Sequence, residues 1–466
     1  MGVGRSRGGP APRGRGMSRR DFIKYSGAGL AGATALASAA CSDLTSGFAA
    51  SSVAGPNTVV LSKGFETTGT LQKVIDRFNK EDHKFQVAWQ IMSADTGQYF
   101  DKMRTDFQVG RDEIDIVGAD VIWPAQFAAN KWIEDLSDLF TEEMQQDFLP
   151  STIETSMYNG KIYGVPWYSD AGLLYYRKDL LDKAGLKPPS TWEELQSQAD
   201  KVREQEGIRD GFTFQAAEYE GGVCNQCEYI WNAGGEILAP GDPTKVTVGA
   251  QAAVRGYESA LGNVESGTSP LGVATYKELE SLTVFIQGDS VFNRNWPYAY
   301  AIATGGPAEG SSLKPEWVGV SQIPTLNQGD QSVACLGGWD FCINALSSKK
   351  EQAWEFIQWM LRPEIMKFQA IEAGWLPPRK SLFADEQLTT KDQPVMGLAR
   401  PSYDSTKPRP SVNPFYSDMS LEMAQAFNDT IKGDASAQEA VRRLEGKLDR
   451  IAQAAGSIFG LGRGAA

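Results

Sequence analysis

The most constraining feature of this 466-residue chain is an alternation of two hydrophobic periods that begins abruptly at Val59. Val59-Val60-Leu61 reads as a strand, and Leu71, Val74, Ile75 and Phe78 then recur at i, i+3, i+4 and i+7, the stripe of a helix. Phe85 to Trp89 alternates as a strand, Tyr99, Met103 and Phe107 stand four apart, and Ile114 to Val117 returns to strand. Strands alternating with helices of this length predict βαβ units and a mostly parallel sheet. The pattern restarts after Tyr163-Gly164-Val165-Pro166. Leu173 to Tyr176 reads as a buried strand, and Thr191-Trp192-Glu193-Glu194 as a capping box that opens a helix. Val333 to Ile343 reads as a strand, Glu351 to Leu361 as an amphipathic helix, and Leu421 to Ala455 as helix broken at Gly433-Asp434. The expected fold class is α/β, with two lobes and a ligand cleft between them. The first lobe is expected over 57–164 plus about 314–365, the second over 165–313 plus about 366–458. Ligands of such sheets sit beyond the carboxyl ends of the strands, so strand-to-helix loops are the places to search.

Charge narrows the function. The formal net charge of −13 argues against nucleic acid, whose binding is dominated by Lys and Arg on phosphates. Residues 1–40 hold seven basic side chains against Asp21, so the rest is more acidic still and suits an anionic membrane surface poorly. His83 is the only histidine and lies in a polar run, which leaves little room for His-based triads or zinc catalysis. No metal or cofactor is expected.

The N-terminus reads as an address rather than as part of the fold. Ser18-Arg19-Arg20-Asp21-Phe22-Ile23-Lys24 resembles a twin-arginine export signal, and the apolar stretch from Tyr25 to Ala40 is too short and too rich in Gly and Ala to span a bilayer. Met17, just ahead of the signal, is an alternative start. Ala39-Ala40-Cys41 resembles a lipoprotein cleavage site, with Ser38 where that pattern usually carries Leu; ordinary signal-peptidase cleavage near Ala37-Ser38-Ala39 is the alternative. Residues 41–56 are rich in Ser, Ala and Gly and read as a flexible tether. Beyond the membrane, cysteines tend to oxidise, so Cys224, Cys227, Cys335 and Cys342 are disulfide candidates. Four cysteines permit three pairings. The local pairs Cys224–Cys227 and Cys335–Cys342 are the simplest, and buried thiols the alternative.

A neutral saccharide asks a protein for charged or amide partners for its hydroxyls and for aromatic planes against its C–H faces. The chain has 12 Trp and 15 Tyr, and several stand beside carboxylates in the loops just derived. The segments Asp115–Trp123, Tyr163–Leu181, Asn295–Ala299, Gly337-Gly338-Trp339 and Trp375–Arg379 resemble family 1 extracellular solute-binding proteins of ABC sugar importers. Tyr219–Cys224 with Glu228–Trp231 is closest to the trehalose/maltose-binding branch. The resemblance runs from about Val59 to Ala455. It implies a two-lobed periplasmic-binding-protein-like fold and a disaccharide of trehalose or maltose type as ligand. It also implies ABC permease transmembrane subunits as partners, a lipid anchor as the only membrane attachment, and a monomer on the outer face of the cytoplasmic membrane or in the periplasm.

The same resemblance nominates ligand-binding residues. Asp120 would bind sugar hydroxyls, with a helix N-cap as the alternative. Tyr168 and Asp170 would act as a pair after the hinge-like Gly-Val-Pro, with a polar turn as the alternative. Glu66 would serve from the first strand-to-helix loop, unless it only starts the helix. Trp296 would be an aromatic platform, with a core Trp as the alternative. Gly338 and Trp339 would present a backbone group and an indole face, since a Gly pair lets the main chain approach closely. Arg409 would hold hydroxyls, or else be a solvated loop charge. Glu278 and Asp340 read more as surface carboxylates. Two other classes stay open. A secreted glycoside hydrolase would use paired carboxylates about 5–10 Å apart, and a binder of polyamines would need an acidic aromatic cage.

Overall fold

The computed structural model describes residues 55–66, 68–389 and 394–459. The export signal, Cys41 and most of the tether lie outside them. From Thr58 the predicted alternation is realised. Strands β1 (Thr58–Gly64), β2 (Gln86–Met92) and β3 (Ile116–Asp120) run parallel in the order β2-β1-β3, with helices α1 (Thr70–Lys80) and α2 (Thr96–Gln108) as crossovers. α1 buries Leu71, Val74, Ile75 and Phe78, the stripe its spacing required. β3 is buried along its whole length and ends at Asp120, ahead of α3 (Pro124–Ala129).

The passage to the second sheet is abrupt. β4 (Val165–Ala171) belongs to the first sheet and β5 (Leu173–Arg177) to the second, with Gly172 alone between them. A Cβ on Gly172 would fall 1.8 Å from Glu228 Oε1 and 2.6 Å from Arg294 Nη2, so no larger residue fits at this crossing. α4 (Trp192–Glu206) opens on the expected capping box: Thr191 Oγ1 accepts from Glu194 N (3.1 Å), and the Glu194 carboxylate takes the Ser190 N–H (2.8 Å). The second sheet is completed by β6 (Asp210–Thr213), β7 (Ser290–Asn295) and β8 (Val318–Ser321), in the order β8-β5-β7-β6. Helices α5 (Glu220–Trp231) and α6 (Glu278–Ile286) precede β7 in the chain.

β9 (Ala334–Ile343) carries the chain back, antiparallel to both β3 and β4, and β10 (Thr406–Lys407) pairs with its start. This shifts the lobe limits read from the sequence. β8 pairs with β5, so Val318–Ser321 sits in the second sheet rather than the first; a four-residue strand leaves too short a pattern to read. Helix α8 (Pro363–Ala373), which follows α7 (Lys350–Met360), is tied to α1 by Lys73–Glu372 (2.7 Å). Two long helices, α9 (Tyr416–Lys432) and α10 (Ala437–Phe459), close the chain, and Gly433 marks the expected break.

The disulfide candidates are free, buried thiols. Cys335 and Cys342 lie seven residues apart on one strand, about 23 Å at the ~3.3 Å rise of a strand, whereas bridged Cα atoms stand within about 7 Å. Cys224 and Cys227 sit inside the buried α5. Burial pushes the thiols of Cys224, Cys227 and Cys342 up, which keeps them protonated and unreactive.

Candidate ligand-binding site

The ends of β3 and β1, the middle of β4 and β9, and the loop carrying Arg409 converge where the two sheets meet. Arg409, 4% exposed, is the junction. Its Nη2 donates to Asp120 Oδ1 (3.1 Å) at the end of β3, and its Nη1 to Glu220 Oε1 (2.6 Å) at the start of α5. Glu220 also accepts from Tyr416 Oη (2.7 Å) and Ser420 Oγ. A carboxylate at a helix N-terminus sits favourably in the helix dipole, although burial here raises its affinity for a proton. The Pro-flanked Arg409 is therefore a buried ion-pair hub, and Asp120 a partner of that hub. Asp120 also accepts weakly from Ile122 N (3.3 Å), and Trp123, not Asp120, occupies the N-cap position of α3.

An aromatic wall stands beside this triad. Tyr168 on β4 stacks on Trp375 at 4.8 Å and 8°. Trp339 on β9 lies opposite both Tyr168 and Asp120 in the strand register, edge-on to Trp123 (5.7 Å) and stacked at 6.1 Å from Tyr99. Gly338 makes the wall possible. At φ 128° its missing Cβ would lie 2.4 Å from Tyr168 O, and the register slips just after it, between Trp339 and Asp340. So Gly338-Trp339 is a strand rather than a loop, and the bulge beside it falls on β4, where Trp167 is skipped in the pairing. Trp296, after β7, covers the Arg294 guanidinium at 4.0 Å and donates from Nε1 to Glu278 Oε1 (3.4 Å). Arg294 is itself fixed by a bidentate pair with Glu228 (2.8 and 2.6 Å), whose Oε1 also accepts from Cys335 N (3.0 Å). That buried pair joins α5, β7 and β9.

Asp170 lies beside Gly337 on β9, and burial pushes its carboxyl up to about 7 against the opposing pull of Lys63. Glu66 is engaged at the helix start: its Oε2 accepts from Thr68 N (2.7 Å) and Thr68 Oγ1 (2.5 Å), its Oε1 from Leu71 N (3.2 Å). Glu278 lies at the first turn of α6 against Trp296 rather than on the open surface. Asp340 differs most from expectation. It is fully buried, next to Gly164 and on the strand position after Trp339, and its carboxyl oxygens have no hydrogen-bond partner. The nearby Ser156 hydroxyl donates instead to Thr152 O (3.1 Å), and burial pushes Asp340 up to about 8.

Sequence reading missed Lys63, at the carboxyl end of β1. It is 5% exposed, its Nζ lies 3.1 Å from the centroid of the Trp339 ring, and its own carbonyl accepts from Trp89 Nε1 (3.0 Å). Burial lowers this ammonium to about 7, resisted by Asp120, Asp170 and Glu66. A signal existed: a lysine ends an otherwise apolar strand three residues before Glu66. Glu220 was also missed, because its partners lie 189 and 196 residues away in the chain.

This fold, with carboxylates, an arginine and aromatic planes gathered at the seam of two sheets, agrees with what the comparisons show. Residues 64–367 match the model of the bacterial extracellular solute-binding protein family, and the chain belongs to that family. A probable ABC transporter-binding protein of Deinococcus radiodurans is 31% identical over 347 residues, 73% of this chain and 80% of its own. The structure of maltose-bound T. maritima MalE3 superposes with a TM-score of 0.78 at 32% identity, covering 84% of this chain and 99% of that one. A solute-binding protein of Agrobacterium radiobacter K84 in complex with ribitol reaches a TM-score of 0.74 at 25% identity over 85% and 98% of the two chains. These relatives and the shared fold are those of substrate-binding proteins. Among the described residues no helix is long and apolar enough to cross a membrane.

Proposed function

We propose that this protein captures a disaccharide of the trehalose or maltose type by closure of its two lobes and delivers it to the transmembrane subunits of an ABC permease. The observation that carries the reading is the Asp120–Arg409–Glu220 triad beside the Trp339 and Tyr168 wall. Charged groups suited to hydroxyls and flat faces suited to C–H surfaces meet there, from strands and loops of both sheets. The maltose and ribitol held by the two related structures add support for a polyhydroxyl ligand. In this reading Asp120, Tyr168, Asp170, Trp296, Trp339 and Arg409 contact the sugar, with Glu278 at the edge and Gly338 supplying backbone. Glu66 and Asp340 act in support, one at a helix start and the other in the crossing strand. The two lobes are centred on the two sheets. Contacts made with both lobes only when closed shift the population to the closed form, which the permease engages. The chain travels by the twin-arginine route, is held at the outer face of the membrane by lipid on Cys41, and works as a monomer without cofactor.

Isothermal calorimetry against trehalose, maltose, sucrose, ribitol and monosaccharides tests this. A disaccharide is expected to bind with micromolar or tighter affinity, about −8 kcal/mol or better. Trp339→Ala and Asp120→Ala are each expected to weaken it tenfold or more while thermal unfolding stays cooperative. Absence of binding by every sugar and polyol would reject the reading. Release of glucose from a disaccharide would point to a hydrolase instead.

A further inference from the structure

The fold sorts the four cysteines differently from their spacing. Cys342 packs with Tyr99, Val117 and Trp123 beside β3, whereas Cys224, Cys227 and Cys335 share the core built on the second sheet. Cys224 and Cys335 are both buried. Two contacts bring this pair together. The backbone N–H of Cys335 donates to Glu228 Oε1 (3.0 Å), and Glu228 stands one turn after Cys224 on α5. The side chains of Cys224 and Glu228 therefore leave the same helix face, about 6 Å apart along the axis. The Cys224 thiol also interacts directly with the thiol of Cys335.

The surroundings suit exchange chemistry at these sulfurs. The buried guanidinium groups of Arg409 and Arg294 both lie within electrostatic reach of the two thiols. A thiolate formed here meets positive charge, which works against the burial that pushes Cys224 up. The family is extracellular, and disulfides persist outside the cytoplasm. Both ends of the pair also lead to the candidate site. Glu220, which accepts from Arg409 Nη1, lies one turn before Cys224 on α5, and Trp339 lies four residues beyond Cys335 on β9.

We propose that Cys224 and Cys335 are a redox pair that closes to a disulfide outside the cytoplasm and clasps the start of α5 to β9. The oxidant is a disulfide, either of glutathione or of a thiol oxidoreductase. The thiolate of one cysteine attacks a sulfur of that disulfide and expels one thiol, and the other cysteine then displaces the second thiol from the mixed disulfide. The two departing thiols take up the two protons and two electrons that the chain gives up. In the closed core burial keeps the Cys224 thiol protonated, so exchange proceeds from molecules in which the start of α5 has opened. The bond joins residues far apart in the chain, so it restricts the unfolded state strongly. It also fixes the turn that carries Glu220, and with it Arg409, against β9.

The test is incubation of the full chain in glutathione buffers from reducing to oxidising, with and without a low concentration of denaturant to admit the oxidant. Non-reducing peptide mass mapping then reads the linkage. A Cys224–Cys335 cross-link that dithiothreitol removes is expected. Oxidised wild type is expected to melt about 5 °C or more above reduced wild type. Cys227→Ser and Cys342→Ser should keep this difference and Cys335→Ser should abolish it, with Cys335→Ala in its place if a buried serine unfolds the chain. The wild-type comparison holds even if no variant folds. Free thiols at both positions in every buffer, a bond through Cys227 or Cys342 instead, or a bond that leaves the melting temperature unchanged would each overturn the clasp. The linkage is read without any sugar, so its failure leaves the saccharide reading intact.

Discussion

Lys63 shows how far a single side chain can depart from its usual state when a fold encloses it. A lysine in water titrates near 10.4. Here desolvation brings it to about 7, and its charge rests on the face of Trp339 with no carboxylate close enough to form an ion pair among the contacts described. A cation over an indole contributes about 2 kcal/mol or more when desolvated, which partly offsets the cost of burial. Lys63 therefore covers one face of the Trp339 ring, and on the proposed reading a sugar stacking there would share or displace it. Between pH 6 and 8 the tryptophan emission is expected to follow a transition with a midpoint near 7, and Lys63→Met should remove it. Asp170 also titrates near 7 and faces Lys63 together with Asp120 and Glu66. A transition that persists in Lys63→Met would assign it to that carboxyl instead.

β9 is the element on which the molecule turns. It pairs with β3 and β4, carries Trp339 to the site, and buries Asp340 one residue later. Neighbouring strand residues point to opposite faces, which explains why Trp339 reaches the aromatic wall and Asp340 does not. The sign of the Asp340 effect follows from its raised value. The folded state keeps a proton to about pH 8 that the unfolded chain releases near 3.9. Stability from this group is thus full at low pH and falls as pH rises towards 8, at up to about 1.4 kcal/mol per unit. Asp340→Asn has the same shape and no titration. Its melting temperature relative to wild type is expected to climb steadily from pH 5 to pH 8 and then level off. A constant difference across that range would show that Asp340 is ionised in the folded protein.

Across the whole molecule, a further ion pair joins the two sheets' surroundings. Asp95, which caps α2 by accepting from Gln98 N (3.0 Å), also receives Lys277 Nζ (2.5 Å) from the start of α6. The cap and the ion pair together hold the Asp95 carboxyl below its ordinary value even against its partial burial. Both partners are partly exposed, so the pair contributes on the order of 1 kcal/mol or less. Its position matters more than its strength, because it adds a contact between elements of the two lobes. Asp95→Asn keeps the cap and removes the charge. In stopped-flow fluorescence it is expected to raise the ligand dissociation rate two- to fivefold, with a melting temperature within a few degrees of wild type. An unchanged rate in low salt would mean that the pair does not take part in closure.

The sequence by itself determined the periodic part of this protein: the βαβ succession from Val59, the stripe of α1, the capping box at Thr191 and the restart after Pro166. Those signals are local, since a helix or a half-buried strand writes its period into neighbouring residues. It also marked Asp120, Tyr168, Trp339 and Arg409 as residues to watch. Tertiary structure alone decided what they do. Arg409 became a buried hub because Glu220, 189 residues away, meets it. Asp340 left the surface because β9 runs between β3 and β4. Lys63 became a cleft residue because Trp339 crosses above it, and the cysteines are free thiols buried in strand and helix. Each outcome depends on partners distant in sequence, and a single chain read in order carries no periodic trace of them.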